Sequence, residues 1–117
     1  MASSIIVGCI LLALLCVASA QSVTYRQAIC EWSSGNICCP DDTRIRISSV
    51  AYGRQPGSAG LCPGTNTNNC SQFNKVTDYV SHCNGQECCT IAATNDGLGG
   101  DPCYGTHKYA IVTWTCS

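Results

Sequence analysis

The cysteines constrain this chain more than any other feature. Twelve fall within 117 residues. Two of them, Cys9 and Cys16, lie in a leading segment that differs in kind from everything after it. That segment is apolar from Ile5 to Val17, carries no charged side chain, and ends in Ala18-Ser19-Ala20, small residues of the type a signal peptidase reads. It is too short to span a bilayer comfortably as a helix. Residues 1–20 therefore read as a cleaved signal peptide and residues 21–117 as one mature domain. Ten cysteines remain in that domain. Such a density belongs to secreted, extracellular scaffolds stapled by disulfides, because the cytosol keeps thiols reduced. An even count lets all ten pair internally, in any of roughly 945 ways by the counting that gives 105 for eight.

The staples answer a shortage. The chain has one Phe and two Trp, and a chain this short buries a limited core. Five bridges, each contributing on the order of 2–4 kcal/mol, would supply much of the missing stability. Every charged residue lies after residue 20, and the charges sum to −1. That balance offers no electrostatic footprint for nucleic acid or an anionic membrane. No further stretch approaches transmembrane length.

Patterning predicts a mostly β domain with one helix and two long loops. Val23–Ile29 alternates loosely as a strand. Thr43–Val50 alternates better, with Ile45 and Ile47 on one face and Arg44 and Arg46 on the other. Residues 55–69 are rich in Gly, Pro, Asn, Ser and Thr and read as an irregular loop. Gln72–Cys83 places Phe73, Val76, Tyr79, Val80 and Cys83 at helical spacing, with Ser71 as N-cap. Cys89–Ala93 is a short strand, Asn95–Gly100 a flexible glycine turn, and Lys108–Cys116 the strongest strand, aromatic and β-branched. Asn69-Cys70-Ser71 matches a glycosylation sequon in form.

Catalytic and metal patterns are weak. Cys38-Cys39 and Cys88-Cys89 are adjacent pairs, which do not form the loop of a zinc knuckle, and no metal or other cofactor is implied. The histidines, His82 and His107, carry no nucleophile–base signature. A glycosidase would need two carboxylates flanking a bond, which sequence alone does not show. The chain reads as a non-enzyme.

Two patches are more specific. Tyr52-Gly53-Arg54 follows the strand at Thr43–Val50. Asp101-Pro102-Cys103-Tyr104-Gly105-Thr106-His107-Lys108-Tyr109 opens the last strand. Together with Cys30-Glu31, Ala92-Ala93-Thr94-Asn95 and the late Cys116, they resemble the L-rhamnose/D-galactoside-binding lectin domain of the sea-urchin-egg-lectin type. The resemblance spans Val23 to Cys116. It implies an α/β, mostly β fold: a small disulfide-rich domain with an antiparallel, β-sandwich-like sheet arrangement, one main helix and long loops. It also implies the bridges Cys30–Cys62, Cys39–Cys116, Cys70–Cys103 and Cys83–Cys89. Cys38 and Cys88 are left over, each beside a family cysteine, and are expected to form a fifth bridge with each other.

The same resemblance implies a calcium-independent lectin whose partners are cell-surface or microbial glycans carrying L-rhamnose or D-galactose. Its sugar-binding residues here would be Glu31, Tyr52, Asn95, Asp101, Gly105 and Lys108. The chemistry is apt. Glu31 and Asp101 can accept from neighbouring hydroxyls through charged hydrogen bonds. Lys108 would donate to a hydroxyl. The Tyr52 ring would cover the apolar face of a pyranose. Asn95 and the Gly105 backbone complete the set, and Arg54 reads as scaffold. Asn95–Gly100 is one residue longer than the usual spacer, and Trp32 stands where a small residue is common. Those departures motivate the alternative, a secreted structural, matrix or venom-type protein with a lectin fold and no sugar binding. Any self-association would be noncovalent.

Overall fold

A computed structural model describes residues 23–55, 61–64 and 72–117. The leader, most of the loop at 55–69, the Ser71 cap, the sequon and Cys70 lie outside these residues. Six strands are described: β1 (Tyr25–Cys30), β2 (Ser34–Cys38), β3 (Ile45–Gly53), β4 (Phe73–Lys75), β5 (Cys88–Ala92) and β6 (Tyr109–Cys116), with a 3-10 helix at Thr77–Cys83. One antiparallel sheet has the order β1-β6-β3-β4; the other pairs β2 with β5.

The strength of Lys108–Cys116 as a strand signal has a structural cause. β6 sits inside the larger sheet and buries both faces. Ala110, Val112 and Trp114 enter the main core with Ile29, Ile37, Val80 and Ile91. Tyr109 and Ile111 face a second cluster around Cys62, flanked by Ala28, Cys30 and Phe73. A strand covered on both sides reads as a continuous apolar run.

β3 contains the feature that aims the candidate site. Ile47 pairs with Trp114, but Ser49 pairs with Thr113, so the strand carries a bulge at Ser48. A bulge shifts the alternation by one residue. Ile45 and Ile47 therefore share the core side with Val50 and Tyr52 rather than with Ser49 and Ala51. Without that shift Tyr52 would leave the core.

The helix expected over Gln72–Cys83 is corrected at its first turns. Residues 73–75 form an edge strand, and the helix is a seven-residue 3-10 segment from Thr77. The sheet offers the backbone better partners than a helix would. Arg54 N–H donates to Gln72 O at 2.9 Å and Val76 N–H to Val50 O at 2.8 Å. Helical spacing also merged two surfaces. Val76, Val80 and Cys83 pack in the main core, whereas Phe73 lies against Tyr109 on the other face of the sheet, with ring centroids 5.4 Å apart. Tyr79 is exposed.

β2 is a strand that the sequence pattern did not single out. Its glycine lets neighbouring side chains pack close: a Cβ at Gly35 would lie 2.8 Å from Ile29 Cδ1, which would have to shift. The segment Asn95–Gly100, expected to be flexible, is a packed turn. Leu98 is buried in the core, its N–H bonds Thr94 O at 3.0 Å, and Gly100 N–H bonds Asn95 O at 2.7 Å.

Four bridges join Cys30–Cys62, Cys38–Cys88, Cys39–Cys116 and Cys83–Cys89. Cys103 is also disulfide-bonded; its expected partner Cys70 falls outside the described residues. Cys38 and Cys88 are directly opposed in the β2–β5 register. Among the described residues no helix is long and apolar enough to cross a membrane.

Candidate functional site

The site begins where β1 ends and β6 starts. Cys30 pairs with Tyr109, so the ladder sets Glu31 beside Lys108. Glu31 N–H donates to Lys108 O at 2.8 Å, and Lys108 N–H donates to Glu31 Oε1 at 2.8 Å. The Lys108 ammonium turns back over the same carboxylate, 3.2 Å from Glu31 Oε1, and lies 3.0 Å from Asp101 Oδ1. It also donates to the carbonyls of Thr106 at 2.8 Å and Cys103 at 3.3 Å. Asp101 Oδ1 in turn accepts the Cys103 N–H at 2.9 Å, an Asx turn that fixes the carboxylate ahead of β6.

Burial makes this arrangement costly to disturb. Glu31 and Lys108 are 4% and 2% exposed. A buried charge requires a partner. Here one cation serves two anions, so the cluster carries a net negative charge. The Asp101 side chain is the more open of the two acids, at 27% exposed.

Beneath them, Tyr52 at the end of β3 is fully buried, and its hydroxyl donates to Asn95 Oδ1 at 2.8 Å. Burial raises the Tyr52 pKa above the ordinary phenol value, and the nearby charges of Glu31 and Asp101 push it the same way. The phenol is thus held neutral, as a donor.

Five of the six residues singled out by sequence line one cleft of about 420 Å³: Glu31, Asn95, Asp101, Gly105 and Lys108. Gly105 has φ 77°, which glycine adopts without strain. Tyr52 does not line it. The stacking role expected of Tyr52 is corrected accordingly: its ring is inside the core, and only its hydroxyl reaches a cleft residue, Asn95. The role expected of Lys108 also changes. Its three hydrogens already face four protein oxygens, those of Glu31, Asp101, Cys103 and Thr106.

Arg54 is scaffold. Its Nη1 donates to Cys62 O at 2.9 Å and His107 O at 2.8 Å, tying the loop to the segment before β6. Sequence reasoning passed over Tyr104 and His107, which also line the cleft. Tyr104 is 84% exposed; its position within the motif was the available signal. His82 lies close to Cys83 and Cys89, but those sulfurs form a disulfide and offer no thiolate to a metal.

Residues 37–116 match the model of the D-galactoside/L-rhamnose binding SUEL lectin domain. The chain belongs to this lectin family. It is similar to a D-galactoside-specific lectin of Heliocidaris crassispina, 38% identical over 97 residues that cover 79% of this chain and 90% of that one. An L-rhamnose-binding lectin of Echinometra lucunter is 35% identical over 96 residues, again covering 79% of this chain and 90% of the relative. A rhamnose-binding lectin of Silurus asotus is 40% identical over 93 residues, 76% of this chain but 30% of that longer protein. The lectin domain described here thus spans nearly the whole length of the two sea-urchin-type relatives. Its Glu31–Lys108–Asp101 cluster falls on the motif residues that carried the resemblance.

Proposed function

We propose that the chain is a secreted lectin that binds terminal L-rhamnose or D-galactose residues in this cleft without calcium and without covalent chemistry. The observation that carries the reading is the Lys108 ammonium, buried between Glu31 and Asp101. It orients two carboxylates at the surface of a polar cleft, where adjacent hydroxyls of a pyranose can donate to them. Asn95, fixed by Tyr52, and the backbone at Gly105 add neutral polar contacts. The Lys108 ammonium already bridges the two acids and fixes their positions, which supports a cleft organised without calcium. The family relationship supports the class of ligand. The leader at residues 1–20 and the disulfides support secretion.

The packed turn at Asn95–Gly100 weakens the motive for a sugar-free role, since its extra length is absorbed by Leu98 and leaves Asn95 beside Tyr52. One cleft per domain gives weak monovalent binding, so agglutination requires noncovalent assembly. The deciding experiment is a binding titration with L-rhamnose, D-galactose and D-glucose, with and without chelator. Binding of the first two, unchanged by chelator and lost in Asp101→Ala, is expected. Absence of binding to either sugar, or its loss with chelator, overturns the reading.

A further inference from the structure

Trp32 is a large side chain at the cleft that, like Tyr104 and His107, has no part in the sugar-binding roles above. It follows Glu31 in the turn between β1 and β2 and is 72% exposed. Its φ is 70°, in the left-handed region. A bulky side chain there is an outlier, and glycine or asparagine would relieve it. The turn is nevertheless held firmly. Trp32 N–H donates to Ala93 O at 2.9 Å, Ala93 N–H to Ser33 O at 2.9 Å, and Ser33 N–H to Cys30 O at 3.0 Å. Those bonds are made by backbone and would serve any residue. What the tryptophan adds is its side chain, which lines the cleft together with Glu31, Asp101 and Tyr104.

Backbone strain retained at a ligand site motivates a functional reading. An indole presents a flat apolar face with a polar edge, suited to the C–H face of a pyranose. The floor of the cleft is polar, built from Glu31, Asn95 and Asp101, and is matched to the hydroxyls of one terminal sugar. Trp32 stands at the rim, beside rather than within that polar floor, as its exposure shows. We propose that Trp32 is a platform for the sugar residue next to the terminal one, so that the cleft selects glycan ends of two or more residues over a monosaccharide. This rests on the lectin reading given above.

The test compares methyl β-D-galactoside with a panel of galactose-terminated disaccharides differing in linkage, lactose among them, on the full chain and its variants. At least one disaccharide should bind roughly three- to tenfold tighter than the methyl glycoside. Trp32→Gly, which suits the backbone, should erase that advantage while shifting methyl galactoside affinity less than about twofold, and Trp32→Phe should keep most of it. The disaccharide should also shield the exposed indole from iodide quenching; Trp114, at 5% exposed, is already sheltered. If no disaccharide gains over the methyl glycoside, or Trp32→Gly weakens every ligand equally, the platform is refuted while the lectin reading stands. If no galactoside or rhamnoside binds at all, both fall together.

Discussion

A single oxygen of Glu31 accepts both the backbone N–H of Lys108, at 2.8 Å, and its side-chain ammonium, at 3.2 Å. The residue that extends the β1–β6 ladder is thereby also the counter-ion of the site. Stability and binding are coupled through it. Lys108→Met should leave two carboxylates without their cation and destabilise the domain by about 3–5 kcal/mol. Adding Glu31→Gln should recover part of that loss. Urea unfolding of the two single variants and the double variant reads the coupling directly. Strictly additive losses would mean that the pair does not act as a unit.

Gly53 should be intolerant of any side chain. Its φ is 147°, and a Cβ there would fall 2.0 Å from Gln72 O. That carbonyl accepts the Arg54 N–H, so it is not free to move. Gly53→Ala should cost at least about 2 kcal/mol in chemical denaturation. A loss below half that value would show that the β3–β4 edge yields easily.

How much of this was legible follows from which forces set each part. Cysteine counting reached the Cys38–Cys88 pair because two adjacent doublets left one combination over once the family pairs were assigned. Glu31, Asp101 and Lys108 were singled out because the resemblance to the lectin family falls on Cys30-Glu31 and on the run Asp101–Tyr109. Their division of labour was not, since nothing in the sequence says that Lys108 is buried. Tyr52 was misread for a related reason: the bulge at Ser48 turns it inward, and a bulge leaves no mark in a Ser-Ser pair. Phe73 was placed on a helix because its spacing to Val76 and Val80 fits one, while hydrogen bonds to a distant strand decided otherwise.

Asn95 should depend on Tyr52 for its orientation. The Tyr52 hydroxyl is its donor at 2.8 Å. Tyr52→Phe keeps the buried ring and removes that bond, so stability should fall by about 1 kcal/mol and sugar affinity should fall with it. Calorimetric titration with D-galactose measures the second effect. An unchanged affinity would free Asn95 from any role that Tyr52 controls.

The same phenol sets a high-pH limit. Its pKa is raised in the folded protein, chiefly by burial and then by the two carboxylates, so the native state retains a proton that the unfolded chain releases near pH 10. A raised folded pKa contributes stability that is fully present below the unfolded value and is lost as pH rises above it. Above about pH 10 the domain should lose up to roughly 1.4 kcal/mol per pH unit from this group. Of the five tyrosines, at least one should resist titration by tyrosinate absorbance until the protein unfolds. In Tyr52→Phe this contribution to the slope should vanish. A slope identical to that of the parent would assign the alkaline limit elsewhere.

Trp32 should lower the stability of the domain that carries it. Its φ of 70° holds a bulky residue in the left-handed region, at a cost of order 1–2 kcal/mol. Its side chain is largely exposed, so little burial offsets that strain. Trp32→Gly removes the strain but gives back part of the gain, because glycine has more freedom to lose on folding. The balance should favour the variant by about 0.5–1 kcal/mol, or an increase of several degrees in the melting temperature for a domain of this size. Trp32→Ala, which keeps a Cβ at positive φ, should not share the gain. The contrast between the two substitutions separates backbone strain from lost contacts, since both remove the indole and only one relieves the turn. Equal melting temperatures for the two would show that the turn imposes no strain on this residue.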